Sequence, residues 1–404
     1  MSTGDSTDSQ LKTSWAALLA SFLGWTLDAF DFFLLSFCLT AVSKEFHQSD
    51  KAVASSIFLT LAFRPVGAFL FGLMADRYGR RLPLMIDLIF YSAVEVATGF
   101  APTFTWFLVF RALFGIGMGG EWGVGASLAM EQVPPRWRGV LSGLLQQGYA
   151  LGNLLAALAY LLVFPHWGWR PLFFLGGLPA LLALFVRFRV KESEVWKQSK
   201  RQSWGDLRGS ITQHAGLFVY LVILMTGMNL ASHGTQDMYP TFLERYWHFG
   251  TTQRSLISAL SMIGAILGGV VIGLLSDRIG RKRAIVLALL AGVAITPLWA
   301  YAPGLGLLIA GAFLIQFCVQ GAWGVIPAHL SELSPNEIRG FLPGFAYQCG
   351  VLLAGSVGTL EAIFAEHMSY ATAMAITAAT VFVLTTFVAG VGPEKKGIDF
   401  ARAE

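Results

Sequence analysis

Polar side chains interrupt an apolar stretch at residues 229–241, NLASHGTQDMYPT: Asn229, Ser232, His233, Thr235, Gln236 and Asp237. Asn229, His233 and Asp237 are spaced i, i+4 and i+8, with Ser232 and Gln236 one step to the side. At 3.6 residues per turn, that spacing draws one stripe along a helix. An Asp at the bilayer centre costs about 2.5–3.5 kcal/mol on insertion scales, so the stripe is expected to face a polar cavity rather than lipid. Two titratable groups one turn apart suit proton transfer. Imidazole titrates near 6.5, and desolvation moves a carboxyl toward neutrality. The alternative is a structural network tying this helix to its neighbours.

Asp28 and Asp31 lie three residues apart, on one helical face. Two unpaired charges there would be prohibitive, so one is expected to be protonated or paired with an arginine. Arg64 sits in the middle of LTLAFRPVGAFLFG, followed by Pro65. Its guanidinium stays charged and presents a fork matched to a carboxylate. It is read as the anchor for a substrate carboxylate, or else as a counter-ion to Asp28 or Asp31. Asp31 could alternatively cap a packing network with Arg111. Glu121, Gln146, Gln147, Gln320 and Gln348 together fit a pocket for a small hydroxylated anion, although each alone is more often a helix–helix contact. Glu95 and Glu361 fall inside apolar stretches and receive no role. There is no Walker loop, no metal-spaced Cys/His set and no Ser-His-Asp arrangement, so no enzyme, cofactor or metal is expected. GIGMGG, within an apolar stretch, reads as close helix packing.

The elements that must position these groups are membrane helices. The chain is 55% hydrophobic and 13% charged, against about 25% charged in soluble domains. Twelve stretches reach the length of about 20 residues that a crossing needs: 15–42, 51–74, 82–101, 103–130, 138–162, 169–189, 213–243, 251–275, 282–302, 304–330, 338–364 and 367–391. The alternating ten-residue segments of a strand barrel do not occur. Cys38, Cys318 and Cys349 lie within the apolar stretches and are odd in number, so they read as packing residues. The polar first ten residues lack the features of a signal peptide. With the N-terminus inside, the inner loops and tails collect 21 Lys/Arg and the outer loops five. The positive-inside rule therefore places both termini in the cytoplasm of a multi-pass cell-membrane protein. The formal charge of +4 resides in these loops and implies no nucleic-acid partner.

The chain is written twice. GLMADRYGRR at 72–81 recurs as GLLSDRIGRK at 273–282, an offset of 201 residues. The same offset pairs Trp122-Gly123 with Trp323-Gly324, Glu131 with Glu332, Arg138-Gly139 with Arg339-Gly340, and Gln147 with Gln348. One register held across separate segments indicates duplicated six-helix halves, whose substrate site commonly lies between them near mid-membrane. The expected organisation is a tail over 1–14, a half over 15–189, a charged solvated linker over 190–212, a second half over 213–391 and a tail over 392–404. Asp28 and Asp31 align with Asn229 and Ser232, so similar depth is expected. Arg64 aligns with Ala265 and Glu121 with Ala322, so the repeat does not demand either charge.

The repeated G-x-x-x-D-R-x-G-R-R pattern resembles the signature of the major facilitator superfamily, over essentially the whole chain. More narrowly, GWTLDAFDFF, LLQQGYALGN, GWRPLFF and NLASHGTQD resemble the sialate/carboxylate:proton symporter family, nearest to its fungal lactate permease branch. The resemblance implies an all-α integral membrane fold of twelve helices in two pseudo-symmetric halves. It ties Asn229, His233, Asp237, Arg64 and Gln348 to substrate and proton handling, and Arg111 resembles a facilitator helix 4 arginine. Two positions depart from the branch: Val351 stands where it has an Asn, and Leu151 replaces an aromatic.

The expected site therefore binds substrate through Arg64, Asn229, His233, Gln348, Gln147 and Leu151, and protons through Asp28, Asp31, His233 and Asp237. The ionisable groups of the seventh span and Arg64 are expected to meet in one wet chamber at the pseudo-twofold centre. Asp76, Arg77, Arg81, Glu131, Arg138, Asp277, Arg278, Glu332 and Arg339 are expected to form a cytoplasmic gate of surface pairs, each worth about 0–1 kcal/mol, that open and reform. The function expected is symport of a short monocarboxylate such as lactate with a proton, by a monomer. A sialic acid:proton symporter and a transporter-like sensor without turnover are the rivals.

Overall fold

The computed structural model describes residues 3–199, 202–237, 239–355, 363–364 and 366–400, and their regular structure is entirely helical. The first half comprises α1 (Thr3–Glu45), α2 (Asp50–Tyr78), α3 (Arg81–Gly99), α4 (Phe104–Gln132), α5 (Arg138–Gln146), α6 (Gly148–Trp167), α7 (Arg170–Leu175) and α8 (Pro179–Arg189). After two linker helices, α9 (Glu194–Gln198) and α10 (Trp204–Gln213), the second half follows. It comprises α11 (Ala215–Gln236), α12 (Tyr239–Arg245), α13 (Thr251–Ile279), α14 (Arg281–Tyr301), α15 (Leu305–Leu333), α16 (Leu342–Ala354) and α17 (Tyr370–Val391). Among the described residues, 11 helical runs are long and apolar enough to cross a membrane, and α16 is a shorter apolar helix. The rest of the expected eleventh span, with Glu361, lies outside the described residues.

Local sequence explains where the helices start and turn. Ser49 and Thr103 accept hydrogen bonds from Ala52 and Trp106 N–H groups, capping α2 and α4. Gly79 (φ 97°) and Gly280 (φ 107°) take the left-handed conformation that lets α2 turn sharply into α3, and α13 into α14. The GIGMGG run packs α4 on α2. A Cβ at Gly115 or Gly119 would come within 2.2 Å of the Thr60 carbonyl oxygen or 1.9 Å of the Arg64 one. Leu161, Leu162, Leu384 and Phe387 stay exposed on the periphery, as a lipid-facing surface requires.

The ends of the halves are more ordered than a solvated linker. Glu192 accepts hydrogen bonds from the backbone N–H groups of Arg80 (2.9 Å) and Arg81 (3.1 Å), satisfying donors that open α3. Trp196 Nε1 donates to the Asp76 carbonyl at 2.8 Å. The C-terminal tail does the same for α14, where Glu394 accepts from Lys282 N–H at 2.8 Å. At the other end of the chain, α1 begins at Thr3, so helix extends into the segment read as a tail. One apolar core fills the second half and draws in Trp25 and Trp122 from the first, which has two further cores of its own.

Candidate functional site

Arg64 on α2 is 3% exposed, with its guanidinium 5.7 Å from the ring centre of Tyr347 on α16, the two also hydrogen-bonded. Tyr347 in turn packs against Trp122 (4.6 Å), Trp323 (5.5 Å) and Trp25 (6.4 Å), and Trp25 stacks on Tyr149 at 5.4 Å. Arg64 thus lies against one ring of an aromatic cluster built from α1, α4, α6, α15 and α16, and the repeat-related Trp122 and Trp323 enclose Tyr347 from both halves. Each indole is fixed by its N–H: Trp122 donates to Gln146 Oε1 (3.3 Å) and Trp323 to the Met228 carbonyl (3.1 Å). Nε and Nη2 of Arg64 have no hydrogen-bond partner, and neither amide atom of the fully buried Gln348 has one. Asp28 lies within electrostatic range of Arg64 with both carboxyl oxygens unpartnered. A buried fork with uncommitted donors, set against a ring, can grip a small planar carboxylate.

The seventh-span stripe occupies a second tier. His233 Nδ1 lies 3.2 Å from Asp237 Oδ2, with the two side chains 40% and 49% exposed. Asp237 follows the end of α11 at Gln236, and α12 begins at Tyr239. Asn229 is buried and donates to the Met225 carbonyl at 2.7 Å. Ser232 accepts from Gln320 (3.1 Å), and Gln236 donates to Gln316 (2.9 Å), which donates to Thr235 (3.1 Å). A cavity of about 230 Å³ lies here, its lining including Asn153, Thr235, Gln236, Tyr239, Ser261 and Gln316. Arg64, Asn229, His233 and Gln348 are not among its lining residues. Of the groups expected to share one chamber, Arg64 lies against the aromatic cluster, and the His233–Asp237 pair stands apart from it with exposed side chains. Tyr149 links them, within electrostatic range of Arg64, Asp28 and Asp237. On the same helix Leu151 is half-buried, and Gln147 donates to the Gly143 carbonyl (3.3 Å) while packing against Gly269 of the other half.

Within the first half, Arg111 does not pair with Asp31. It bonds the carboxylate of Glu95 and the hydroxyl of Thr98 (2.9 Å), so Glu95, left without a role from sequence, is its partner. Asp31 keeps both carboxyl oxygens unpartnered. Glu121 does not join the amides either, since its carboxyl lies against Gly24 of α1.

On the side that carries the linker, the halves are locked by a duplicated set of contacts. Asp76 accepts from the N–H groups of Gly340 (2.7 Å) and Phe341 (2.9 Å), and Asp277 from those of Gly139 (2.8 Å) and Val140 (3.0 Å). Each signature aspartate thus places negative charge where a helix of the opposite half begins, the end that favours it. Arg80 bridges Asp76 (2.8 Å) and Glu131 (2.9 Å), and Arg281 bridges Asp277 (2.7 Å) and Glu332 (2.9 Å). Across the interface, Arg138 meets Glu332 at 2.9 Å and Arg339 approaches Glu131 at 3.7 Å. Between these two arginines sits Phe400 of the C-terminal tail, 3.9 Å from either guanidinium carbon. Arg138 also donates to the Ile398 carbonyl at 3.0 Å.

Three expected gate arginines lie elsewhere. Arg77 donates to the Gln202 carbonyl and stacks on Trp204 of α10 at 4.7 Å; Arg81 bonds the Arg187 carbonyl; Arg278 is exposed. The glycine turn is the reason. It puts Arg80 and Arg281 at the helix starts and returns their side chains to the aspartates four residues back. Burial opposes the charge on Arg80, yet Glu131 and Asp76 hold its guanidinium above the usual range. The gate is also not a surface feature: its bridging side chains are at most 6% exposed, apart from the longer Arg339 contact equally enclosed at 1% or less.

Two halves of about six membrane helices each, locked together by duplicated aspartate–arginine loops, define a membrane transporter, not an enzyme. Residues 16–216 match the sugar (and other) transporter family and residues 219–400 the major facilitator superfamily. The chain is 31% identical to a "Probable 4-methylmuconolactone transporter" of Cupriavidus pinatubonensis, over 96% of this chain and 92% of that one. It is 28% identical to a "Carboxylic acid transporter protein homolog" of Saccharomyces cerevisiae (95% and 68% covered) and 28% identical to the "Sialic acid transporter NanX" of Escherichia coli (83% and 83%). Its fold is similar to that of the proton:xylose symporter XylE, with a TM-score of 0.78 at 20% identity over 95% of this chain and 97% of that one. The chain belongs to the major facilitator superfamily of membrane transporters.

Proposed function

We propose that this transporter is a symporter of a short monocarboxylate, such as lactate, with a proton, alternating access between its halves. The carrying observation is Arg64, a buried cation with two uncommitted N–H directions, set against the aromatic cluster where the halves meet. The carboxylic acid and muconolactone named for two relatives support a small organic acid as cargo. In the proposed cycle the linker side is cytoplasmic and closed, and Asp237 and His233 face the opening on the other side. A proton binds there or at Asp28 or Asp31, and the anion docks on Arg64. Gln348, Asn229 and Gln147 orient its oxygens, Leu151 lines the passage, and the neutralised site can be occluded. The bridges then break and both cargoes leave inward.

A sialic acid cargo is the second reading, favoured by the NanX relative. The aromatic cluster argues for a smaller acid, since Tyr347 has three indoles within 6.4 Å. The test is a screen of labelled lactate, pyruvate, acetate and sialic acid in proteoliposomes with an imposed pH step. Uptake of the short acids supports the proposal; uptake of sialic acid alone overturns it.

A further inference from the structure

Inside the first half, Asp87, Tyr91 and Glu95 on α3 repeat the i, i+4, i+8 spacing of the seventh-span stripe. They lie within electrostatic range of Asp28 and Asp31 of α1 and of Glu121 of α4, Glu95 pairs with Arg111 of α4, and Arg64 of α2 is in range of Asp28. The five carboxyl groups are all 0% exposed, and so is Tyr91. Both oxygens of Asp28, Asp31, Asp87 and Glu121 lack a hydrogen-bond partner, as does the Tyr91 hydroxyl. Arg111 is committed to Glu95, and Arg64 is the other guanidinium in range, so five acids share two cations. A buried unpaired charge costs several kcal/mol. At least three of the five therefore rest as neutral acids, each holding a proton.

Their order along the bilayer has a direction. Asp31 and Glu95 meet over Gly176, where an added Cβ would lie 2.9 Å from Asp31 Oδ1 and 2.2 Å from Glu95 Cγ. Asp28 is one turn nearer the linker side. The Glu121 carboxyl sits one turn further, in the space left by Gly24, where a Cβ would lie 2.2 Å from Oε1. Asp87 ends the series, eight residues or about 12 Å along α3 from Glu95. Tyr91 is within electrostatic range of Asp28, Asp31, Glu121 and Asp87 together.

We propose that Asp87, Tyr91 and Glu121 extend the proton path of this half into a relay, from Asp31 and Asp28 toward the linker side, running beside the substrate path rather than through it. Each step breaks one O–H bond and forms another, starting at the exit: Asp87 releases its proton to water on the linker side, Glu121 reprotonates Asp87, and Tyr91 passes its hydroxyl proton to the Glu121 carboxylate while taking one from Asp28, which Asp31 restores. The one carboxylate created this way moves back to Asp31, where the next proton entering from the opposite side neutralises it. The inference rests on the proton-coupled reading above.

The experiment compares wild type with Glu121→Gln, Asp87→Asn and Tyr91→Phe in proteoliposomes, using the short acid that wild type accumulates. Removing a positioned proton carrier is expected to slow pH-driven accumulation roughly a hundredfold. Kd for the acid, measured by binding to the purified variants, should stay near the wild-type value. Accumulation at wild-type rates in all three variants would overturn the relay. Wild type that transports the acid but ignores the pH step would instead overturn the proton-coupled reading. Infrared difference spectra of the purified protein give a readout independent of transport: the band of protonated carboxyl groups should lose intensity in Glu121→Gln and in Asp87→Asn. A spectrum unchanged in both would count equally against the relay.

Discussion

The interiors of the two halves, built on one duplicated scaffold, have opposite chemistry. Every charge inside the first half meets a neutral residue at the repeat position: Asp28 faces Asn229, Asp31 Ser232, Arg64 Ala265, Asp87 Ala288, Glu95 Thr296, Arg111 Ala312 and Glu121 Ala322. The second half instead offers amides and hydroxyls bonded to one another, Gln236 to Gln316 and Gln320 to Ser232, beside its cavity. At the linker side the halves agree, contact for contact: Asp76 with Asp277, Arg80 with Arg281, Glu131 with Glu332, Arg138 with Arg339. In the proposed cycle the symmetric part opens and closes, and the asymmetric part tells cargo and protons apart. On that proposal, charge in one half and neutral hydrogen bonding in the other divide the work between halves that move as equivalent bodies.

The gate's symmetry predicts the largest effect. Asp76→Ala and Asp277→Ala each leave a buried arginine with one of its two carboxylates and two backbone N–H groups without an acceptor. Breaking one side of a buried pair costs about 3–5 kcal/mol. Both variants should therefore open the linker side, read as faster alkylation of a cysteine placed by Leu145→Cys at a buried interface position. A large effect in one and none in the other would break the equivalence.

Arg64 tests the asymmetry. Arg64→Lys keeps the charge but loses the fork and its charged hydrogen bonds, worth about 1.5–3 kcal/mol. Substrate Kd should rise by about ten- to a hundredfold. Adding Ala265→Arg to Arg64→Ala moves the cation to the neutral half and should rescue nothing; recovered affinity would deny the division. Phe400→Ala removes two cation–π contacts, roughly 1–2 kcal/mol together. It should speed Leu145→Cys alkylation less than the aspartate variants do. Gln316→Ala removes neutral hydrogen bonds worth about 1 kcal/mol and should shift affinity least, by under about tenfold.

Much of this was legible in the chain. The 201-residue offset exposed the repeat and with it the gate aspartates, because a contact made twice is written twice. Arg80 and Arg281 were not legible as its arginines. A helical reading ends at Gly79 and Gly280, and only their left-handed turns return the next side chain to the aspartate. Phe400 is one apolar residue in the polar run GPEKKGIDF, and its place depends on two loops meeting across the interface. The aromatic cluster was hidden among the abundant aromatics of membrane helices. That Arg111 chooses Glu95 over Asp31 is a matter of helix packing that spacing does not encode. The Asp87, Tyr91, Glu95 series carried a readable signal, the same spacing that drew attention to Asn229, His233 and Asp237.

The central claim is that one proton accompanies one monoanion, so that no net charge crosses. The direct measurement is uptake of a labelled short acid by proteoliposomes under a pH step at zero voltage, against a voltage step at zero pH difference. Accumulation should follow pH, by about 1.36 kcal/mol or tenfold per unit, and stay flat with voltage. Uptake that tracks voltage, worth about 2.3 kcal/mol per charge per 100 mV, with no pH step imposed would contradict it.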